Sequence, residues 1–156
     1  MKQTSILKYA LALLPLLGSL YAIADAPKPE QVIKWRQSTF QTVAWETGRI
    51  KASLDGQFNK DEVSKAAAAI SAIANSGLSG LFAPGSDTGK GFHDTSISAD
   101  AFSNTPHLAE LAGNFAKEAA ELNRIAAAGD QSGIKDQFGR LTKTCKACHD
   151  DFKRKD

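Results

Sequence analysis

The sequence predicts an all-α protein, an antiparallel four-helix bundle. Three observations carry that expectation. Four stretches of roughly twenty residues repeat apolar side chains every three or four positions, the period of one helix face. No segment alternates apolar and polar residues over a useful length, so strands are not expected. Three of the four stretches are joined by short turns, which lay consecutive helices antiparallel.

The chain opens with Lys2 and Lys8 around a short apolar run from Tyr9 to Tyr21, followed by Ala22-Ile23-Ala24. Basic residues, an apolar core and an A-x-A site read as a secretory signal peptide cleaved after Ala24. That leaves residues 25–156, the size of one domain, exported to the periplasm. Loss of Lys2 and Lys8 removes the whole formal net charge of +2. A neutral domain without a long basic run gives no support to nucleic-acid binding or to adhesion on an anionic membrane.

The first helix spans Glu30 to Leu54, with Val32, Trp35, Arg36, Thr39, Phe40, Val43, Thr47, Ile50 and Leu54 on its inward stripe and Gly56 as its stop. Asn59, three residues before Glu62, starts the second, which runs through Val63, Ala67, Ile70 and Ala74 to Ser76-Gly77. From Gly77 to Phe102 periodicity vanishes and glycines cluster, so an extended loop is expected, pinned in places by Phe82, Phe92 and Phe102. Thr105-Pro106 reads as cap and first residue of the third helix, which ends near Ala128-Gly129. Asp130 caps the last, where Ile134, Phe138, Leu141, Cys145, Cys148 and Phe152 share one face.

That last face carries the chemistry. Cys145-Lys146-Ala147-Cys148-His149 is the C-x-x-C-H signature of covalent haem, in which two thiols add across vinyl groups and the adjoining imidazole ligates iron. Residues three apart project to one side of a helix, so both thiols can reach one porphyrin edge. A thioredoxin-type pair would follow a strand, and a zinc site would need further cysteines; neither is present. A Cys145–Cys148 disulfide stays open in an exported chain. The only methionine is Met1, so the His–Met pair common in electron-transfer cytochromes is excluded. His93, in the loop, and His107, in the first turn of the third helix, are the remaining sixth-ligand candidates; lone histidines in such places are mostly solvated, which makes five-coordinate iron the expectation.

Four motifs together resemble the cytochrome c′ family, high-spin c-type cytochromes built as four-helix bundles. They are Trp35-Arg36-Gln37-Ser38, Phe82-Ala83-Pro84-Gly85, Gly129-Asp130, and Cys145 through Lys153. The resemblance implies that Arg36, with Gln37 as a lesser partner, pairs with a haem propionate, against the plainer reading of a solvated arginine. It also implies that Phe40 sits over the open face of the iron, a role compatible with an ordinary place in the core. Lys153 stands where the family often has arginine, four residues after His149, and a cation there weakens imidazole donation to iron. The implied function is binding of diatomic gases, nitric oxide above all and carbon monoxide besides, with His149 released in some complexes. An apolar distal residue suits these ligands because it offers dioxygen no stabilising hydrogen bond. The resemblance further implies a homodimer through the first two helices. A single-electron carrier between periplasmic redox partners is the alternative, and enzymatic turnover is not expected.

Overall fold

The computed structural model describes residues 26–154. The expected signal peptide therefore lies outside the described residues. Helices α1 (Pro29–Asp55), α2 (Lys60–Ala74), α4 (Thr105–Ala128) and α5 (Gln131–Phe152) form the bundle. The aperiodic stretch is more structured than expected, with a 3₁₀ turn at Leu78–Leu81 and the one-turn helix α3 (Asp100–Ser103).

Local chemistry sets the ends. Asn59 Oδ1 accepts the Glu62 N–H at 3.1 Å and Asp130 Oδ1 accepts the Gly133 N–H at 3.1 Å, each satisfying a donor that the helix start leaves without a partner. The cap of α4 is Asn104 rather than Thr105, with Thr105 and Pro106 both inside the first turn. At its other end Gly129 adopts φ 78°, a left-handed conformation that favours glycine, and its N–H returns to the Ile125 and Ala126 carbonyls.

Helix α1 packs on α2, α2 on α4 and α4 on α5, whereas α1 and α5 make few contacts with each other. Three edges of the bundle are closed and the fourth is loose. The larger core joins Val43 and Ile50 of α1 to Val63 and Ile70 of α2, Phe115 and Leu122 of α4, and Ile134 and Leu141 of α5. A second cluster at the loop end gathers Ala101, Leu108, Leu111 and Phe152, with Phe82, Ile97 and Phe102 packed against it. The stripe expected on α1 needs one correction, because Trp35 is 51% exposed while Ile33 is fully buried. Ile33 and Arg36 lie nearly one turn apart on the inner side, and Trp35 falls off its edge.

Candidate haem-binding site

Cys145 and Cys148 sit in the C-terminal half of α5, and each touches a different core. Cys145 packs against the larger cluster and Cys148 against the second. Both thiols are free, so no disulfide joins them, and both are half-buried. Burial pushes both pKa values up, which keeps the sulfurs as thiols at neutral pH. His149 follows, open to solvent on one side and backed by protein on the other. That partial burial, then the positive charge of Lys153, lowers its pKa, with Asp150 opposing. The imidazole is thus neutral at physiological pH, the state in which it can donate to a metal.

An aromatic row faces the second cluster. The Phe40 and Phe82 rings lie 6.4 Å apart and those of Phe82 and Phe102 6.5 Å apart, both pairs tilted. Phe40 is therefore linked through Phe82 to the cluster that holds Cys148. Half-buried paired thiols, a neutral imidazole and apolar rings beside a loosely closed edge suit a flat, largely apolar group carrying a metal, and they suit haem.

Arg36 is only 6% exposed, and both its terminal nitrogens are committed to the loop. Nη1 donates to Leu81 O at 2.8 Å and Ser86 Oγ at 2.9 Å, and Nη2 to Ser86 O at 2.6 Å and Thr95 Oγ1 at 3.0 Å. Its guanidinium also stands over the Phe82 ring, 5.6 Å from the centroid. A carboxylate reaching Arg36 must use Nε–H or displace one of these acceptors. Gln37 likewise holds the loop: Nε2 donates to His93 O at 2.9 Å and Oε1 accepts the Phe92 N–H at 2.8 Å. Lys153 is the C-cap of α5, its N–H still donating to His149 O at 3.1 Å while its own extended backbone (φ −97°, ψ 124°) turns the chain away from the helix. Its charge adds to burial, the larger cause, in lowering the imidazole pKa.

The other two histidines have partners of their own. His93 Nδ1 lies 2.9 Å from Asp94 O and 3.2 Å from Gln37 Nε2. His107 Nε2 lies 2.8 Å from Asp151 Oδ2 and its Nδ1 3.4 Å from Glu110 Oε2, with the Phe152 ring tilted against it at 5.5 Å between centroids. These carboxylates, Asp151 foremost, raise its pKa.

Sequence reasoning missed Ser86 and Thr95, buried polar residues that receive Arg36, and Arg154, which binds loop carbonyls. A usable signal existed for the first two. An arginine on an apolar stripe needs buried acceptors, and a loop rich in serine and threonine supplies them.

The sequence profile described as Cytochrome C' matches residues 31–153. The chain belongs to the cytochrome c′ family. Cytochrome c′ of Rhodocyclus tenuis is 52% identical over 133 residues, spanning 85% of this chain and all of that protein. Among solved structures, a cytochrome c′ with ligand-controlled dimer dissociation superposes with a TM-score of 0.80 at 35% identity, covering 83% of this chain and 99% of that one. A ferrous variant of cytochrome c′ from Alcaligenes xylosoxidans with bound nitric oxide superposes with a TM-score of 0.74 at 25% identity, covering 85% and 100%. Cytochromes c′ carry haem c, and this member has two free cysteines, Cys145 and Cys148, on α5.

Proposed function

We propose that this chain is a periplasmic gas-binding haem protein. Cys145 and Cys148 hold haem c through thioether bonds, and His149 is the one protein ligand to the iron. Phe40, packed against Phe82, would present an apolar surface to a diatomic gas held by the bound group, nitric oxide above all. The observation that carries this reading is that Cys148 and Phe82 pack on one apolar cluster, with Phe40 joined to it through the Phe82 ring. Nitric oxide bound to a relative that shares the fold supports it.

Bound haem supplies an iron centre for small diatomic ligands. The chain's own residues decide which ones enter. Burial and Lys153 keep His149 neutral and ready to donate, while limiting how strongly it does so. Phe40 and Phe82 present carbon surface without hydrogen-bond donors, which excludes water and anions more than it excludes nitric oxide or carbon monoxide. His107 is held through both ring nitrogens by Asp151 and Glu110, and His93 is tied at Nδ1 to Asp94 and Gln37 on the exposed loop.

Among the described residues no helix is long and apolar enough to cross a membrane. The protein works as a homodimer and has no catalytic turnover in this reading. The dimer of the related structure supports the first of these. The test is an optical spectrum of the ferric holoprotein at neutral pH, followed by titration of the ferrous form with nitric oxide. A high-spin five-coordinate spectrum and stoichiometric binding are expected. A low-spin six-coordinate spectrum, or no nitric oxide binding, overturns the reading.

A further inference from the structure

We propose that Arg154 is a positioning residue for His149, clamping the last turn of α5 to the loop and, through that loop, to α1. This rests on the reading of His149 as the iron's protein ligand. His149 lies three residues from the end of α5, where a helix leaves its last carbonyls unbonded and tends to fray.

The structure ties that end down from both sides. The Ser98 N–H donates to Phe152 O at 2.7 Å and the Arg154 N–H to Ser96 O at 2.7 Å, so the chain just beyond α5 pairs with residues 96–98. The Arg154 guanidinium then reaches across the same segment. Nη1 donates to Ile97 O at 2.8 Å and more weakly to Asp87 O at 3.4 Å, and Nη2 donates to Thr95 O. Thr95 is buried and gripped from its other side by Arg36, whose Nη2 donates to Thr95 Oγ1 at 3.0 Å. A continuous path of hydrogen bonds therefore runs from α1 through Arg36, Thr95 and Arg154 to the turn that bears the ligand.

Arg154 is exposed, yet its guanidinium is turned back onto three carbonyls of one loop. Three guanidinium bonds restrict the backbone that follows His149, and with it the imidazole's orientation. The same path passes close to Phe82 through Arg36, so the distal and proximal sides share one support.

The test compares ferrous holoprotein with its Arg154→Gln and Arg154→Lys variants by resonance Raman spectroscopy of the iron–histidine stretch and by amide exchange. In Arg154→Gln the stretching band is expected to broaden or split, and exchange at Ser98 and Arg154 amide positions to accelerate about tenfold. Arg154→Lys keeps a charge but not the fork, and falls between the two. An unchanged band overturns the proposal. So does a changed band without faster exchange at residues 96–98, because the clamp is then not the route. Absence of any iron–histidine band in the unmutated protein would instead defeat the ligand assignment, and the proposal with it.

Discussion

Replacing Arg36 by leucine separates a strut from a surface charge. Its guanidinium makes four hydrogen bonds to Leu81 O, Ser86 Oγ, Ser86 O and Thr95 Oγ1 in a nearly closed environment. Each bond from a charged donor contributes about 1.5–3 kcal/mol, but the four are not additive and the leucine recovers some apolar burial. Ser86 Oγ keeps its own bond to Ala83 O at 2.7 Å, so it is not stranded. Thr95 Oγ1 and two carbonyls lose a buried partner, which sets the net loss at about 4 kcal/mol. For a domain of roughly 130 residues that lowers Tm by about 15 °C. The assay is urea and thermal unfolding of the holoprotein followed by circular dichroism. Arg36→Lys, with one compact ammonium, should recover less than half the loss. A loss below about 1 kcal/mol for Arg36→Leu would refute the reasoning, because that is the range of solvent-exposed charges.

Three further outcomes follow from the same structure. Phe40→Ala should raise the rate of carbon monoxide binding to ferrous haem by about tenfold, equal to roughly 1.4 kcal/mol of barrier, measured by stopped flow; an unchanged rate would make Phe40 a core residue only. Gly91→Ala would place a Cβ 2.4 Å from Gln37 Oε1, 2.9 Å from Ile33 Cγ2 and 3.0 Å from the Lys34 backbone nitrogen, and should destabilise by about 1–3 kcal/mol in urea unfolding. The raised pKa of His107 means its ionic contacts to Asp151 and Glu110 contribute fully below the unfolded-state histidine pKa and fade as pH rises through the folded value. Unfolding curves from pH 6 upward should show stability falling across that window in the parent and less so in His107→Gln.

What could be read from the sequence, and what could not, divides along the range of the interactions. The caps at Asn59 and Asp130 and the stop at Gly129 depend on neighbours within one turn, and each stands where the pattern places it, as do the helix stripes apart from Trp35. The Cys145–Cys148 pair was equally legible, since its spacing and its helix are both local. Residues 77–102 were read only as a loop because their order comes from side chains far away in the chain. Arg36 lies 45 to 59 positions from its acceptors, and Arg154 57 to 67 from the carbonyls it meets. No periodicity records such bonds. Lys153 shows the same limit in miniature. Helical spacing carries on past Phe152, yet Lys153 is drawn into an isolated bridge with Ile97, and the helix ends.

That long-range order also accounts for where the attachment motif stands. If α1 closed on α5 as tightly as α4 does, the larger core would fill the edge and leave no room for a flat group. The loop braces both helices at one end. Arg36 and Gln37 hold it against α1, Arg154 holds it against the end of α5, and Phe82 and Ile97 pack from it onto the second cluster. Cys145 and Cys148, one helical turn apart, fall at the junction of the two clusters. The site thus depends on the loop as much as on the helices. Loosening the loop at Arg36 or Arg154 should disturb His149 and Phe40 together, whereas a cavity made deep in the larger core, as by Ile70→Ala, should cost stability and leave the iron–histidine stretch unchanged.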